Sequence, residues 1–252
     1  MLFPFNFLQS QFQFDTSYQA VLNYATSLGY TLPSLSQRVK QNQLILDLKS
    51  AGVWEKLDTL AVTATDGSSN FALIDWKKLS LYTAVNSPTF STNGGFTGNG
   101  TSSYIDTNFN PSIGTNNYKL NDAGRFIWVD NLGATLTLDG TTTVRNNSTA
   151  NSATNSFRIN QDTASNSSTV NLAGVGFKSV NRISNTSCVA FNNLTRTDTL
   201  SVSVIIANVN QWILRHTAVY GNSRIRFYAM GSSLVTENTA FYNAVNTYLT
   251  SL

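Results

Sequence analysis

Apolar residues recur along this chain with two different periods, and the change falls near Leu60. Before that point the spacing is helical. Tyr18, Val21, Leu22, Ala25 and Leu28 follow Asp15, Thr16 and Ser17, any of which can cap a helix, and Gly29 closes the run. Leu35, Val39, Leu44, Ile45 and Leu48 predict a second helix over 34–50, with Gly52 just past its end. Trp54, Leu57 and Leu60 suggest a short third turn that delivers the chain into the first strand.

Beyond Leu60 short apolar stretches alternate with turn residues, which is the punctuation of a β-meander. Strands are expected at 60–65, 71–76, 79–85, 125–130, 134–138, 142–145, 156–160, 170–181, 188–192, 199–207, 211–214 and 224–230. Asp139-Gly140 reads as a hairpin turn. The Asn/Ser/Thr-rich segments 146–155 and 161–168 read as surface loops, and their sequons, Asn147 and Asn166 among them, are expected by chance in so amide-rich a chain. After Gly231 a final helix is expected over 236–251, capped by Thr236. Its Phe241, Ala244, Val245, Tyr248, Leu249 and Leu252 form one stripe that must dock, first choice being the N-terminal helices. The expected plan is an apolar arm over 1–14, a helical region over 15–59 packed on the sandwich, and a β-sandwich over 60–252, with 15–252 one folding unit.

The arm has its own pattern. Phe3, Phe5 and Phe7 alternate, so an extended chain puts the three rings on one face, and Phe12 and Phe14 follow. Two readings stay open: the arm adds a strand to a partner's sheet, or it covers one end of its own sandwich. Met1 to Leu8 lacks a basic start and a small-residue cleavage site, so it does not read as a secretion signal.

Composition narrows the chemistry. At 252 residues with only 12% charged, the surface must be polar through amides and hydroxyls, as in secreted or particle-borne β proteins. A net charge of +3, with no basic run interleaved with aromatics, argues against nucleic-acid binding. Arg224 and Arg226 share one face of a strand and read as a solvated face. Cys188 is the only cysteine, so no internal disulfide can form, and it reads as a small buried apolar residue. His216 is the only histidine, which excludes a histidine-based metal cluster. No apolar run is long enough to span a membrane as a helix.

The stretch Gly94-Gly95-Phe96-Thr97-Gly98-Asn99-Gly100 to Tyr104-Ile105-Asp106-Thr107-Asn108-Phe109-Asn110-Pro111 joins a glycine-rich turn to a strand and a proline stop. A strand follows the glycines and no lysine occurs before Lys119, which argues against a phosphate-cradling loop. Together with Asp47-Leu48-Lys49, Gly52 to Asp58, Gly176-Phe177, Arg182-Ile183-Ser184, Phe227 to Gly231 and Phe241-Tyr242, this stretch resembles modules of tailed-bacteriophage structural proteins. Those modules are similar to laminin-G or concanavalin A-like sandwiches. The resemblance implies a mainly β fold, an antiparallel jelly-roll sandwich with N-terminal helices and a C-terminal helix. It further implies a place in a virion, among other virion proteins and as a homo-oligomer, a trimer first, in a fibre, spike or capsid-surface decoration.

Such a scaffold leaves few places for chemistry. Glycosidic sandwiches need a carboxylate pair, commonly at alternate positions of one strand. The only glutamates, Glu55 and Glu237, fall in helical segments at opposite ends of the chain, and there is no serine elbow. A non-catalytic protein without a cofactor is expected. Laminin-G-like domains often bind calcium, but Asp66, Asp106, Asp122, Asp130, Asp139 and Asp162 form no dense ladder, and aspartates at turns commonly bond their own backbone, so no metal site is assigned. Tyr118, Trp128, Trp212 and Tyr220, near expected strand ends, are the candidate rings for stacking on host-surface glycan, against the alternative that they are packing. A free lectin is the alternative function and a glycoside hydrolase a more distant one.

Overall fold

The computed structural model describes residues 13–143, 146–150, 157–161 and 170–252. Phe3, Phe5, Phe7, Phe12, Asp162, Asn166 and the rest of the loop 161–168 after Gln161 lie outside the described residues.

Helices α1 (Thr16–Ser27) and α2 (Leu35–Ser50) begin at true side-chain caps: Asp15 accepts from the Ser17 amide and Ser34 from the Gln37 amide. Trp54–Lys56 is a single 3-10 turn that leads into β1 (Leu57–Val62), and Phe71–Leu73 is a second such turn before β2 (Ile74–Asp75). The chain continues through β3 (Ser80–Leu81), β4 (Thr83–Val85), β5 (Thr89–Ser91), β6 (Gly95–Thr97), β7 (Tyr104–Asp106), β8 (Ala123–Asn131) and β9 (Thr137–Gly140). Next come β10 (Asn147–Thr149), β11 (Phe157–Arg158), β12 (Gly176–Arg182), β13 (Ser187–Asn192) and β14 (Thr195–Leu200). Strands β15 (Trp212–Ile213), β16 (Arg215–His216), β17 (Val219–Tyr220) and β18 (Arg224–Gly231) precede the last helix, α3 (Asn238–Thr250).

The fold is mainly β, an antiparallel sandwich with two N-terminal helices and one C-terminal helix. An eight-stranded sheet runs β14-β13-β12-β8-β18-β6-β5, and β1 shares with β6 the free side of β18. A six-stranded sheet runs β11-β10-β9-β15-β7-β4. Alternation in the central strands sorts side chains between two cores. Phe126, Trp128, Phe227 and Ala229 point to the helices, where Tyr18, Leu44, Ile45, Phe241 and Val245 meet them. Ile127, Val129, Tyr228 and Met230 point to the second sheet, against Ile105, Leu138, Phe157 and Ile213. The order is therefore helices, large sheet, small sheet. Because both faces of β8 are covered, its first seven residues are buried without a break. Helix α3 also lies along α2: the Gln41 amide donates to the Tyr248 hydroxyl at 3.0 Å, and Tyr248 donates to Ala64 O at 2.6 Å. Phe14, the one described ring of the arm, packs edge-on against Tyr18 at 5.4 Å between centroids.

Several strands fall elsewhere than their apolar pattern predicts. Asp139-Gly140 is not a hairpin turn but the end of β9, because Asp139 points inward to an arginine of the opposite sheet. The segment 199–207 alternates as a strand should, yet the ladder ends at Leu200, opposite Ser187, the first residue of β13. Past it the bonds are scattered, Ser201 N to Thr186 O, Ser203 N to Asn185 O and Val204 N to Asn160 O among them, and Val202 and Val204 stay exposed. The expected strand 170–181 starts only at Gly176, since Gly174 and Gly176 turn the chain at φ +83° and +101°. The loop expected at 146–155 contains β10, and residues 71–73 of the expected strand 71–76 coil instead. Thr236 is not the cap of α3; Glu237 occupies that place without a side-chain cap bond. Arg224 and Arg226 are no freely solvated pair, since both reach Asp130.

Candidate functional site

Of the four rings chosen from sequence, the structure removes two. Tyr118 is buried between the sheets, donating to Asn160 Oδ1 at 2.8 Å, and Trp128 is packed under α3 against Phe177 and Tyr242. Trp128 and Trp212 are similarly little exposed, at 8% and 6%, but Trp128 is enclosed by rings of the helix-side core, whereas Trp212 lies in a ring group on the outer face of the small sheet. Trp212 and Tyr220 come together, and two residues that sequence reasoning passed over, Tyr104 and Arg215, complete the group.

The geometry follows from pairing. Strand β15 lies beside β7 with Trp212 opposite Asp106, so Ile213 and Ile105 enter the core while Trp212 and Tyr104 face outward. Their centroids are 5.2 Å apart, and Tyr220 stands 6.1 Å from Tyr104. The small hairpin β16–β17 folds over this outer face and lays Arg215 on the rings. Its guanidinium carbon is 3.9 Å from the Trp212 centroid, 4.6 Å from Tyr104 and 5.0 Å from Tyr220. Arg215 Nε donates to Thr217 O at 2.9 Å, while Asp106 accepts from Trp212 Nε1 at 3.1 Å and fixes the other edge of the indole.

The hairpin is held by close backbone approach and by strain. A Cβ on Gly221 would lie 2.0 Å from Thr137 O, and one on Gly98 would lie 2.1 Å from Gly221 O, so the glycine-rich run serves as a contact surface as well as a turn. Leu214 and Thr217 have φ of +64° and +51°, a conformation that is costly for a branched side chain. His216 sits over Gly140 with a buried Nε2. Burial, then the nearby Arg158 and Arg125, lower its pKa from 6.5 to about 4. The unfolded chain therefore binds a proton that the fold refuses, and stability is expected to fall as pH drops from about 6.5 to about 4. Melting temperatures across that window, compared between the wild type and His216→Gln, should show the acid-side loss shrinking in the variant.

Beneath this surface lies a polar cluster inside the sandwich. Arg125 and Asp139, both wholly buried, pair at 2.7 Å. Asp139 Oδ2 also accepts from Gln211 Nε2 at 3.0 Å and from the Tyr228 hydroxyl at 3.1 Å. Arg125 Nη2 donates to Asn147 O and Arg158 O. Burial, reinforced by Asp139, pushes the Tyr228 hydroxyl far above its usual range. The cluster joins the two sheets, and the side chains of its ion pair are wholly buried.

Several other carboxylates are engaged. Glu237 pairs with Lys56 at 2.6 Å. Asp75, raised by burial, accepts from Thr59 and from the amides of Leu60, Lys77 and Lys78. Asp66 accepts from Ser34 N, Asp106 from Asn108 N and Asp122 from Ser233 N. Among the described residues no three His, Cys, Asp or Glu side chains group to hold a metal ion. A groove of about 380 Å³ runs between α2 and α3 and offers Asp47 among small residues, with no ring. Among the described residues no helix is long and apolar enough to cross a membrane.

No family model matches this chain, and no curated protein matches it. Solved structures with a similar course include a mutant Trypanosoma rangeli sialidase displaying trans-sialidase activity, at 8% identity and TM-score 0.46, over 83% of this chain and 39% of that one. Another is domain 4 of a GH43 extracellular arabinanase from Geobacillus stearothermophilus, in complex with arabinotriose, at 11% identity and TM-score 0.41, over 74% of this chain and 98% of that domain. The chain thus spans about two fifths of the sialidase it matches. At these values the likeness says nothing of activity.

Proposed function

We propose that this chain is a non-catalytic structural component of a bacteriophage virion, a fibre, spike or capsid-surface decoration, which assembles with other virion proteins as a trimer. In this reading it meets host-surface glycan through the group formed by Tyr104, Trp212, Tyr220 and Arg215. The resemblance of its scaffold motifs supports the virion context. One observation carries the contact surface: three rings and a cation converge on the outer face of the small sheet, on the side away from the helices. The helix-covered side is then left for mounting, and repeated copies would add avidity to a weak contact. A non-catalytic role fits the buried carboxylates Asp75 and Asp139, which are taken up by backbone amides, hydroxyls and an arginine.

Mass spectrometry of purified particles tests the assignment. The chain should be recovered as a stoichiometric component, and its absence from intact particles would reject the virion role. A free lectin would bind sugar as an isolated monomer without entering particles.

A further inference from the structure

The cation on the rings is more informative than the rings. Trp212 is only 6% exposed, and the face that a neutral sugar would stack on is already covered by the Arg215 guanidinium at 3.9 Å. What the surface offers outward is therefore a charge held on an aromatic bed. Arg215 Nε is committed to Thr217 O, which fixes the plane of the group. Among the described residues, its two terminal nitrogens have no hydrogen bond, and no carboxylate lies within ion-pair distance. Asp106, the acid of the same surface, is occupied by Trp212 Nε1, Asn210 Nδ2 and the Asn108 amide.

A guanidinium with Nε anchored and both terminal N–H groups unpaired matches the two oxygens of a carboxylate. Stacking on rings also orders the side chain before binding, which removes part of the entropy cost of holding a long arginine in one place. The strained Leu214 and Thr217 on either side of Arg215 and His216 fix the hairpin that aims it.

We propose that Arg215 is the anchor for a carboxylate-bearing saccharide, a uronic acid unit of an acidic glycan, bound end-on by its terminal nitrogens and flanked by Tyr104 and Tyr220. This inference rests on the glycan-contact reading above and names its substrate class. The neutral rings supply the walls, and the charge supplies selection.

The test is an array of neutral and uronic-acid oligosaccharides, with each acidic member also present as its methyl ester, probed with the full chain and followed by titration calorimetry. Acidic members should bind at least about tenfold more tightly than their esters, and the difference should weaken with salt. Arg215→Gln should abolish the preference, and Arg215→Lys, which keeps the charge but loses the fork, should also lose about tenfold, both at near wild-type melting temperature. Equal binding of acid and ester, or unchanged binding in Arg215→Gln, overturns the inference and leaves the glycan contact standing. Full retention in Arg215→Lys overturns the two-pronged geometry. Binding to no saccharide overturns this inference and the glycan contact together.

Discussion

Asp139→Asn is expected to lower stability by about 3–5 kcal/mol, a melting shift on the order of 10 °C for a chain of this length. The substitution changes little in shape, but it leaves the Arg125 guanidinium charged and wholly buried with only carbonyl oxygens and a neutral amide around it. It also weakens the acceptor shared by Gln211 and Tyr228. Replacing both partners, Arg125→Met with Asp139→Leu, should recover most of the loss, because the desolvation of two ions disappears along with their attraction. The exposed pair Arg196–Asp198, with side chains 49% and 63% exposed, provides the contrast: water and salt screen it, so Asp198→Asn should leave the melting temperature almost unchanged. Thermal unfolding of the wild type and the three variants checks the set. An Asp139→Asn protein as stable as the wild type would mean that the pair does not hold the two sheets together.

Phe241→Ala should cost a similar amount, about 3–5 kcal/mol, for a different reason. Phe241 of α3 stands edge-on to Phe126, Phe177 and Phe227 at 5.1, 5.2 and 5.7 Å, so its ring fills the seam between the last helix and three strands of the large sheet. Its neighbour Tyr242 is only partly buried, stacked on Trp128, and its truncation should cost clearly less. Urea unfolding followed both by far-ultraviolet circular dichroism and by tryptophan fluorescence should give coincident curves for Phe241→Ala, displaced to lower denaturant. Separate transitions would show that the helical layer and the sandwich fold as independent units.

The sequence announced the helices better than the strands because a helix end is a local event. Asp15, Ser34, Gly29 and Gly52 mark boundaries that need no distant partner. A strand becomes one only when something pairs with it. Residues 199–207 have the right alternation, but the β13 ladder does not continue beyond Leu200, while Asp139-Gly140 has turn chemistry and is drawn into β9 by an arginine in another sheet. Mainly-β architecture was legible from composition, turn spacing and the scaffold motifs together. The ring cluster was half legible. Trp212 and Tyr220 are near each other in the chain and stood out, but Tyr104 joins them only because β7 pairs with β15, a fact of topology. Arg215 carries no motif that would single it out. Its one local signal was a place in a short segment crowded with aromatics, and nothing in that spacing says that a guanidinium would rest on them.

Strand β18 comes last among the strands, yet it sits in the middle of the large sheet, with β8 on one side and β1 and β6 on the other. On a ribosome adding about 5–20 residues per second, β1 must wait on the order of ten seconds or more before its partner emerges. During that interval the nascent chain carries two unfinished sheet halves with their oily sides uncovered. Cells making this protein quickly should therefore lose more of it to inclusion bodies than cells making it slowly, and holding chaperones should matter most just before β18 leaves the ribosome.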